Sequence, residues 1–561
     1  MTPLAIRPRW FQRSWTWWFT LVVLTLVAVA RLRLLNFPLE RDEGEYAYNG
    51  QLILQGISPY ALAYNMKFPG TYYAYAALMA AFGETPAGIH FGLLLLTTAT
   101  AVMLFWLGQK ILDETAGMVA ATAYALLAIS TAMFGFAAHA THFGAFCVTA
   151  GLCLLWLARE MRNWLAAAGA GIFFGCAVLT KQHAAFVALW AGGIILAQCF
   201  REKEISWARR AGGLLLFGLA VVLPFGLCSL MLWRAGVFGK FWFWTMDYAR
   251  QYVSIIRPSA AAANLTWSLH SIFSDCWLWW FAVAGVAVVW WDKRLRDQRR
   301  PLLGLALASF LTTAPGFYFR THYFLLALPA AALLAGCAVS GAAQALKEKN
   351  FAARFRRWPA GIFILAVAAT LFKDADVVSV LTRVGSHALY GIEPFQEAEV
   401  AAAYIHDHSP PAARVIVLGS EPELPFLARR HSATGYILVF ALMEPQPFAR
   451  QMQTEMIHEA ETAAPEFAVF VNVNYSWLQQ PQSDPTLFNW WSAYQTNYDL
   501  VGLAEIASPV ATHYFWGADA VRHGKLQLPG LEIYRRKLAT PGAPPAAVFS
   551  TAPPARRDLT P

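Results

Sequence analysis

The chain has 561 residues, 57% of them hydrophobic and only 14% charged. A soluble domain carries about 25% charged residues, so this composition excludes an ordinary water-soluble enzyme and points to a membrane protein. The net charge of +9 comes from short basic clusters between apolar runs, which fits the charge bias of membrane loops and argues against a nucleic-acid partner.

The N-terminal basic residues Arg7, Arg9 and Arg13 precede the first apolar run, near 15–35. Ala28-Val29-Ala30 could pass for a signal-peptidase site, but the run is longer than a signal core and reads as an uncleaved anchor. Further spanning-length runs lie near 87–108, 116–134, 142–158, 163–180, 182–200, 209–232, 276–292, 301–317, 322–346 and 359–375. They predict about eleven transmembrane helices. Basic residues then gather in alternate loops: at Lys110, at Arg159 and Arg162, from Arg201 through Lys203 to Arg210, at Lys293–Arg300, and at Lys347–Arg357. The positive-inside rule puts those loops and the N-terminus in the cytoplasm. Arg31 and Arg33, at the outer end of the first helix, break the pattern.

The opposite face receives the segment 36–86, the turns at 139–142, 181 and 320, the loop 233–275, and everything after 375. Two half-length helices, near 44–55 and 71–82, are too short to span and are expected to lie along the interface. From about 393 prolines and charges become frequent. Arg414–Gly419 and Phe467–Val473 read as strands, and Glu423–Arg429 and Glu455–Ala463 as helices, which predicts a small α/β domain. The expected division is 1–375 for the transmembrane domain, 376–540 for an extracytoplasmic α/β domain, and a disordered Pro/Ala-rich tail over 541–561. All seven cysteines lie in or beside apolar runs, without a CxxC pair, so zinc ribbons and redox motifs are not expected.

The chemistry concentrates in Arg41–Tyr73, where Asp42 and Glu43 follow the first span and Lys67 sits in the turn Lys67-Phe-Pro-Gly70. Asp42 is a candidate base, and the alternative is a solvated helix-exit residue. Lys67 is a candidate phosphate ligand or a lysine snorkelling at the interface. Lys181, between two closely spaced spans, needs a partner or water. Arg320 can take a phosphate bidentately, with His322 and Tyr323 beside it, or anchor the interface. His139 and His142 form an i, i+3 pair without a visible third ligand, so hydrogen bonding is a better reading than metal. The charge rule, applied without reference to these residues, puts all of them on the outer face. Several cations around one or two carboxylates suit an anionic, lipid-anchored substrate.

At this point the order of motifs resembles the GT-C glycosyltransferases of the protein-mannosyltransferase class, family 39, and the lipid A aminoarabinose transferases grouped with them. The matching pieces are Asp42-Glu43 after the first helix, Gly56-x-x-Pro59-Tyr60, Lys67-Phe-Pro-Gly-x-Tyr72, Leu179-Thr-Lys181 and Arg320-x-x-Tyr323-Phe-Leu-x-x-Leu-Pro329. The resemblance spans roughly 15–345. It implies a GT-C-like fold in the plasma (inner) membrane and a polyprenyl-phosphate sugar as donor. It also implies inverting hexosyl or pentosyl transfer on the extracytoplasmic side to a lipid, glycan or protein acceptor, with no divalent metal or other cofactor. Carried over, Asp42 is the catalytic base and Lys67 and Arg320 grip the donor phosphate, assisted by Tyr323, with Lys181 beside them. Where many relatives carry a second acid, this chain has His139-Ala-Thr-His142, so His142 is a substrate-binding candidate and Glu43 or Glu45 a candidate for the missing acidic role.

A transporter or flippase of a lipid-linked anion is the alternative reading. Transporters usually place their charges at the midplane of inverted repeats, whereas these charges lie at one face of a chain without a visible repeat. A membrane-anchored receptor leaves Asp42 and Lys67 unexplained. A periplasm-specific reporter fused after residue 400 is expected to be active; silence there would overturn the orientation.

Overall fold

The computed structural model describes residues 15–201 and 206–537. Arg7, Arg9, Arg13, Lys203 and the expected tail 541–561 lie outside the described residues. Helices form at each of the eleven apolar runs: Trp15–Arg33, Pro86–Ile111, Glu114–Leu127, Ala140–Met161, Trp164–Thr180, Ala185–Arg201, Trp207–Arg234, Leu278–Trp291, Arg299–Leu311, Leu328–Glu348 and Trp358–Val384. Among the described residues five helices are long and apolar enough to cross a membrane, or six if the pair Pro258–Asp275 and Leu278–Trp291, bent by 107°, is one span. The eleven expected crossings do not all meet that test. Glu114–Leu127 and Arg299–Leu311, of 14 and 13 residues, extend only about 20 Å at 1.5 Å per residue, against a hydrocarbon core of about 30 Å.

The segment Thr321–Glu348 is the buried axis of the helical body. Small residues let its neighbours approach closely. A methyl group on Gly285 would collide with the Leu334 carbonyl, and one on Gly336 with that of Ala116, as in membrane helix packing. The loops sort to two ends, as their charge pattern predicts. At one end Arg294 meets Asp113 at 3.0 Å and Lys110 meets Glu160 at 3.1 Å. At the other lie Asp42, Lys67, His139, Lys181 and the C-terminal domain. Arg31 breaks the charge pattern for a structural reason. It is buried, and its Nη2 donates to the carbonyls of Ala128 at 2.7 Å and Gly135 at 3.2 Å.

The two half-length helices form as Arg41–Leu54 and Gly70–Phe82. The first begins with a reciprocal cap: the Glu43 N–H donates to Glu40 Oε1 at 3.1 Å, and the Glu40 N–H to Glu43 Oε2 at 3.4 Å. This satisfies two orphan donors, and the carboxylates favour the positive end of the helix dipole. The segment read as a loop, 233–275, is instead largely helical, over 238–254 and Pro258–Asp275.

The division at 375 falls inside a continuous helix that runs on to Val384, where Gly385 caps it with φ 76°. Asp374 and Asp376 end the hydropathy run there, but acidic residues do not stop a helix. The C-terminal domain is a six-stranded mixed sheet. Its strands are β1 (Arg414–Leu418), β2 (His431–Ser432), β3 (Phe467–Asn472), β4 (Tyr498–Ser508), β5 (Ala511–Trp516) and β6 (Gly530–Arg536). The order is β2-β1-β3-β6-β4-β5, with β1 parallel to β2 and β3 and the other pairs antiparallel. The helix read at 455–463 begins earlier, at Ala449.

This domain clamps the helix Arg41–Leu54. Arg41 Nη2 lies 2.7 Å from Glu393 and 3.1 Å from Glu421, and its Nε donates to the Ser420 carbonyl at 2.6 Å. The Ser432 N–H donates to the Tyr48 hydroxyl at 2.7 Å. Removing one partner of a buried ion pair costs about 3–5 kcal/mol. Arg41→Ala is therefore expected to lower the thermal transition and to open the 385–395 connection to protease. An unchanged digestion pattern would exclude the clamp.

Candidate active site

The site forms where the segment 36–86 meets three other turns. Asp42 lies on the first turn of Arg41–Leu54, and Glu45 lies one residue short of the next turn on the same helix. Lys67 Nζ sits between them, 2.7 Å from Asp42 Oδ1 and 2.6 Å from Glu45 Oε2. The Tyr72 hydroxyl donates to Glu45 Oε1 at 2.6 Å, and the Tyr46 ring lies 4.5 Å from the ammonium. Glu45 is fully buried, whereas the Asp42 side chain keeps 29% exposure. The exposed side of Asp42 is thus the one open to a substrate.

These contacts set the charge states. Burial opposes ionisation of Asp42, but the Lys67 ammonium outweighs it and holds the carboxyl far below the usual carboxylate range. Burial likewise works against the charge of Lys67, and Asp42 and Glu45 reverse it, so Lys67 stays protonated. Burial pushes Glu45 up, with Lys67 only partly countering. Burial, Asp42 and Glu43 push Glu40 well up. The site therefore holds one firmly ionised carboxylate beside two that resist ionisation.

Two cations arrive from distant turns. Lys181 follows the helix Trp164–Thr180, and its Nζ lies 4.6 Å from the Tyr323 ring centre. Among the described residues it has no carboxylate partner. Arg320 precedes the 3-10 turn Thr321–Ala327 and is exposed, with Nη2 3.4 Å from the Tyr252 hydroxyl. Tyr252 stacks on Tyr318 with centres 4.8 Å apart. The C-terminal domain adds Glu444, which accepts from the Tyr248 hydroxyl at 2.6 Å. Burial pushes Glu444 up, and Arg320 is close enough to counter that.

His139 stacks on His322 with ring centres 4.8 Å apart. Its Nδ1 lies 3.6 Å from Glu40 Oε1 and 3.9 Å from Asp42 Oδ2, and neither ring nitrogen has a hydrogen-bond partner among the described residues. Glu40, Asp42 and His139 offer ligand atoms within 4.8 Å of one another, the geometry a small cation could use. Lys67 already supplies a positive charge at Asp42.

The structure thus brings together Asp42, Lys67, Lys181, Arg320 and Tyr323, and buries two predicted substrate ligands, Glu43 and His142, on other partners. Glu43 is 1% exposed and spent on the helix cap, the Ala138 N–H at 2.6 Å and His90 Nε2 at 3.1 Å. His142 is also 1% exposed and bonds the Gly135 carbonyl at 2.9 Å. One residue's difference in helical phase turns Glu43 away from Asp42, and His139 is the N-cap (ψ 150°) while His142 lies inside the helix Ala140–Met161, so only His139 faces Asp42. Sequence reasoning missed Glu40 and Glu444. The reversed acidic pair Glu40-x-x-Glu43 was a visible capping signal, whereas Glu444 lies in a loop with no motif.

Residues 66–227 match the family described as dolichyl-phosphate-mannose-protein mannosyltransferase. That stretch carries Lys67 and Lys181 but neither Asp42 nor Arg320. No curated protein matches the chain in sequence at a significant level. The fold is shared with ArnT from Cupriavidus metallidurans bound to undecaprenyl phosphate (TM-score 0.56, 16% identity, 92% of this chain and 98% of that one). It is also shared with the oligosaccharyltransferase of Archaeoglobus fulgidus in its apo form (TM-score 0.53, 15% identity, 93% and 76%). The same enzyme tethered to an acceptor peptide gives a TM-score of 0.52 at 15% identity, covering 91% and 75%. The resemblance to the GT-C group read from the sequence motifs agrees with both comparisons.

Burial, joined by the positive charge of Lys67, lowers the pKa of Lys181 to about 8, although Asp42 partly offsets this. Lys181 should therefore be cationic at neutral pH and become neutral, and nucleophilic, as pH rises through about 8. Acylation of Lys181 followed by peptide mass spectrometry is expected to show its midpoint there, with Lys67 unreactive throughout. A midpoint near the ordinary lysine value of about 10.4 would contradict the environment described.

Proposed function

We propose that the chain is an integral-membrane glycosyltransferase that moves a sugar from a polyprenyl-phosphate donor to an acceptor hydroxyl on the extracytoplasmic face. The observation that carries the reading is the convergence of one ionised carboxylate, Asp42, with two cations, Lys181 and Arg320, that form no ion pair with a carboxylate among the described residues. The shared fold, the family match over 66–227 and the undecaprenyl phosphate held by ArnT support the same donor class.

In this reading the acceptor oxygen attacks the anomeric carbon from the face opposite the phosphate, and the configuration inverts. The bond from anomeric carbon to phosphate oxygen breaks, and the lipid phosphate leaves with its electron pair. Lys181 and Arg320 neutralise that developing charge, with Tyr323 beside Lys181, which is electrostatic stabilisation of the leaving group. A phosphate leaves without protonation, so the second acid of an inverting glycosidase is not needed. Asp42 accepts the hydroxyl proton. Its low pKa makes it a weak base, so transfer to it comes late, once the hydroxyl oxygen has become positive.

Lys67 takes a different part from the one its motif suggests. Held between two carboxylates, it positions Asp42 and supplies the local positive charge that a metal would otherwise provide. The reading is accordingly metal-independent. The donor phosphate then belongs to Lys181 and Arg320.

Membranes carrying each variant, supplied with a series of polyprenyl-phosphate sugars, test these roles. Asp42→Asn is expected to lower kcat by about 10²–10⁴ while leaving donor binding nearly unchanged, and full activity would exclude it as the base. Arg320→Ala and Lys181→Ala are each expected to weaken donor binding about 10- to 150-fold, the range of about 1.5–3 kcal/mol for a charged hydrogen bond. Lys67→Ala is expected to act mainly on kcat. A donor-affinity loss with Lys67→Ala that matched those of Arg320→Ala and Lys181→Ala would restore it as a phosphate ligand.

A further inference from the structure

Arg33, the second arginine that breaks the charge bias, finds no structural duty like that of Arg31. It is exposed, and among the described residues it has no hydrogen-bond or ion-pair partner. It stands where two cavities meet. One is an apolar groove of about 300 Å³ between the helices Trp15–Arg33 and Trp358–Val384, lined by Leu26, Ala30, Phe136, Leu371 and Val378. The other is a polar cavity of about 530 Å³ between the outer ends of those helices and the β4–β5 hairpin, lined by Arg383, His387, Glu397, Glu399 and Thr512. Arg33, Leu34 and Leu381 line both. Both volumes are of the size that holds ligands, about 300–1,000 Å³.

The two linings differ in chemistry. The groove is mostly hydrocarbon with one acid, Asp374, and the polar cavity sets two guanidinium-bearing residues, Arg33 and Arg383, beside two carboxylates, Glu397 and Glu399. Glu397 is 1% exposed. One of its oxygens takes the Thr512 hydroxyl and His387, while Oε2 has no partner. A buried carboxylate oxygen without a donor is costly and marks a place where a donor is missing. A simple anion does not fit, because Glu397 and Glu399 in the same cavity would repel it. A simple cation does not fit, because Arg33 and Arg383 line that cavity too.

We propose that the two cavities together bind one phospholipid with a primary amine on its head group, a phosphatidylethanolamine. One acyl chain lies in the groove, the phosphate meets Arg33 and Arg383, and the ammonium reaches Glu399 and Glu397. The site is separate from the donor site around Lys181 and Arg320. It rests on the bilayer placement of the helical body but not on the transfer reaction. Because its polar half is walled by the β4–β5 hairpin, a bound lipid would fasten the C-terminal domain to the outer end of the first helix.

Native mass spectrometry of the purified full chain from nanodiscs containing equal phosphatidylethanolamine, phosphatidylcholine and phosphatidylglycerol tests this without an activity readout. One phosphatidylethanolamine is expected to survive activation that strips the other two. Arg33→Ala with Arg383→Ala should reduce its retention at least fivefold. Glu399→Gln, at a partly exposed position that tolerates the change, should bring phosphatidylethanolamine down to the level of phosphatidylcholine, whose quaternary amine has no N–H. Leu381→Trp, which fills the shared wall, should lower retention of all three. Equal retention of the three lipids by the unaltered chain, or unchanged retention in the double arginine variant, would overturn the proposal.

Discussion

The site depends on one close-packed triad, Asp42–Lys67–Glu45, in which Lys67 lies between an ionised carboxylate and one whose ionisation burial opposes. Placing these charges away from water carries a desolvation penalty that only close, well-directed contacts offset. Lys67 meets both carboxylates within 2.7 Å, and Tyr72 and Tyr46 complete its surroundings. The triad fixes the turn after Asn65 against the helix Arg41–Leu54, and so fixes the direction in which Asp42 presents its exposed oxygen. It also occupies Lys67: an ammonium already held by two acids within 2.7 Å has little charge left for a further ligand.

The C-terminal domain is part of the same construction. Arg41, next to Asp42 in the chain, points the other way and is held by Glu393 and Glu421. The helix that carries Asp42 is therefore fastened on both sides, to the helical body through Lys67 and to the domain through Arg41. Tyr64 continues the contact, with its hydroxyl 2.7 Å from Glu459. Glu444 extends it to the cations. A domain with no recognisable binding motif thus closes one side of the site.

Several placements were legible from residue order and charge alone. Asp42, Lys181, Arg320 and Tyr323 were drawn from separate loops because the charge bias put all of them on one face, and they do converge. The half-length helices were legible because thirteen or fourteen residues cannot span. Other readings failed for local reasons. Adjacent carboxylates look equivalent in a sequence, but a helix turns about 100° per residue, so Glu43 caps and packs while Asp42 opens to the site. His139 and His142 look like a pair, yet the first faces Asp42 and the second a carbonyl.

By itself the sequence determined where apolar helices form, which loops share a face and which charges are stranded among hydrophobic neighbours. Those properties are written along the chain as hydropathy and local charge, and they need no partner to be read. Only the tertiary structure decided that Lys67 lies between Asp42 and Glu45, that Glu43 and His142 are buried on other partners, and that Arg31 is turned inward onto two carbonyls while Arg33 is exposed. Each of these turns on which side chain lies within about 3 Å of which other, across separations of up to a hundred residues or more. Hydrogen bonding and desolvation are settled at that range, and linear order does not encode it.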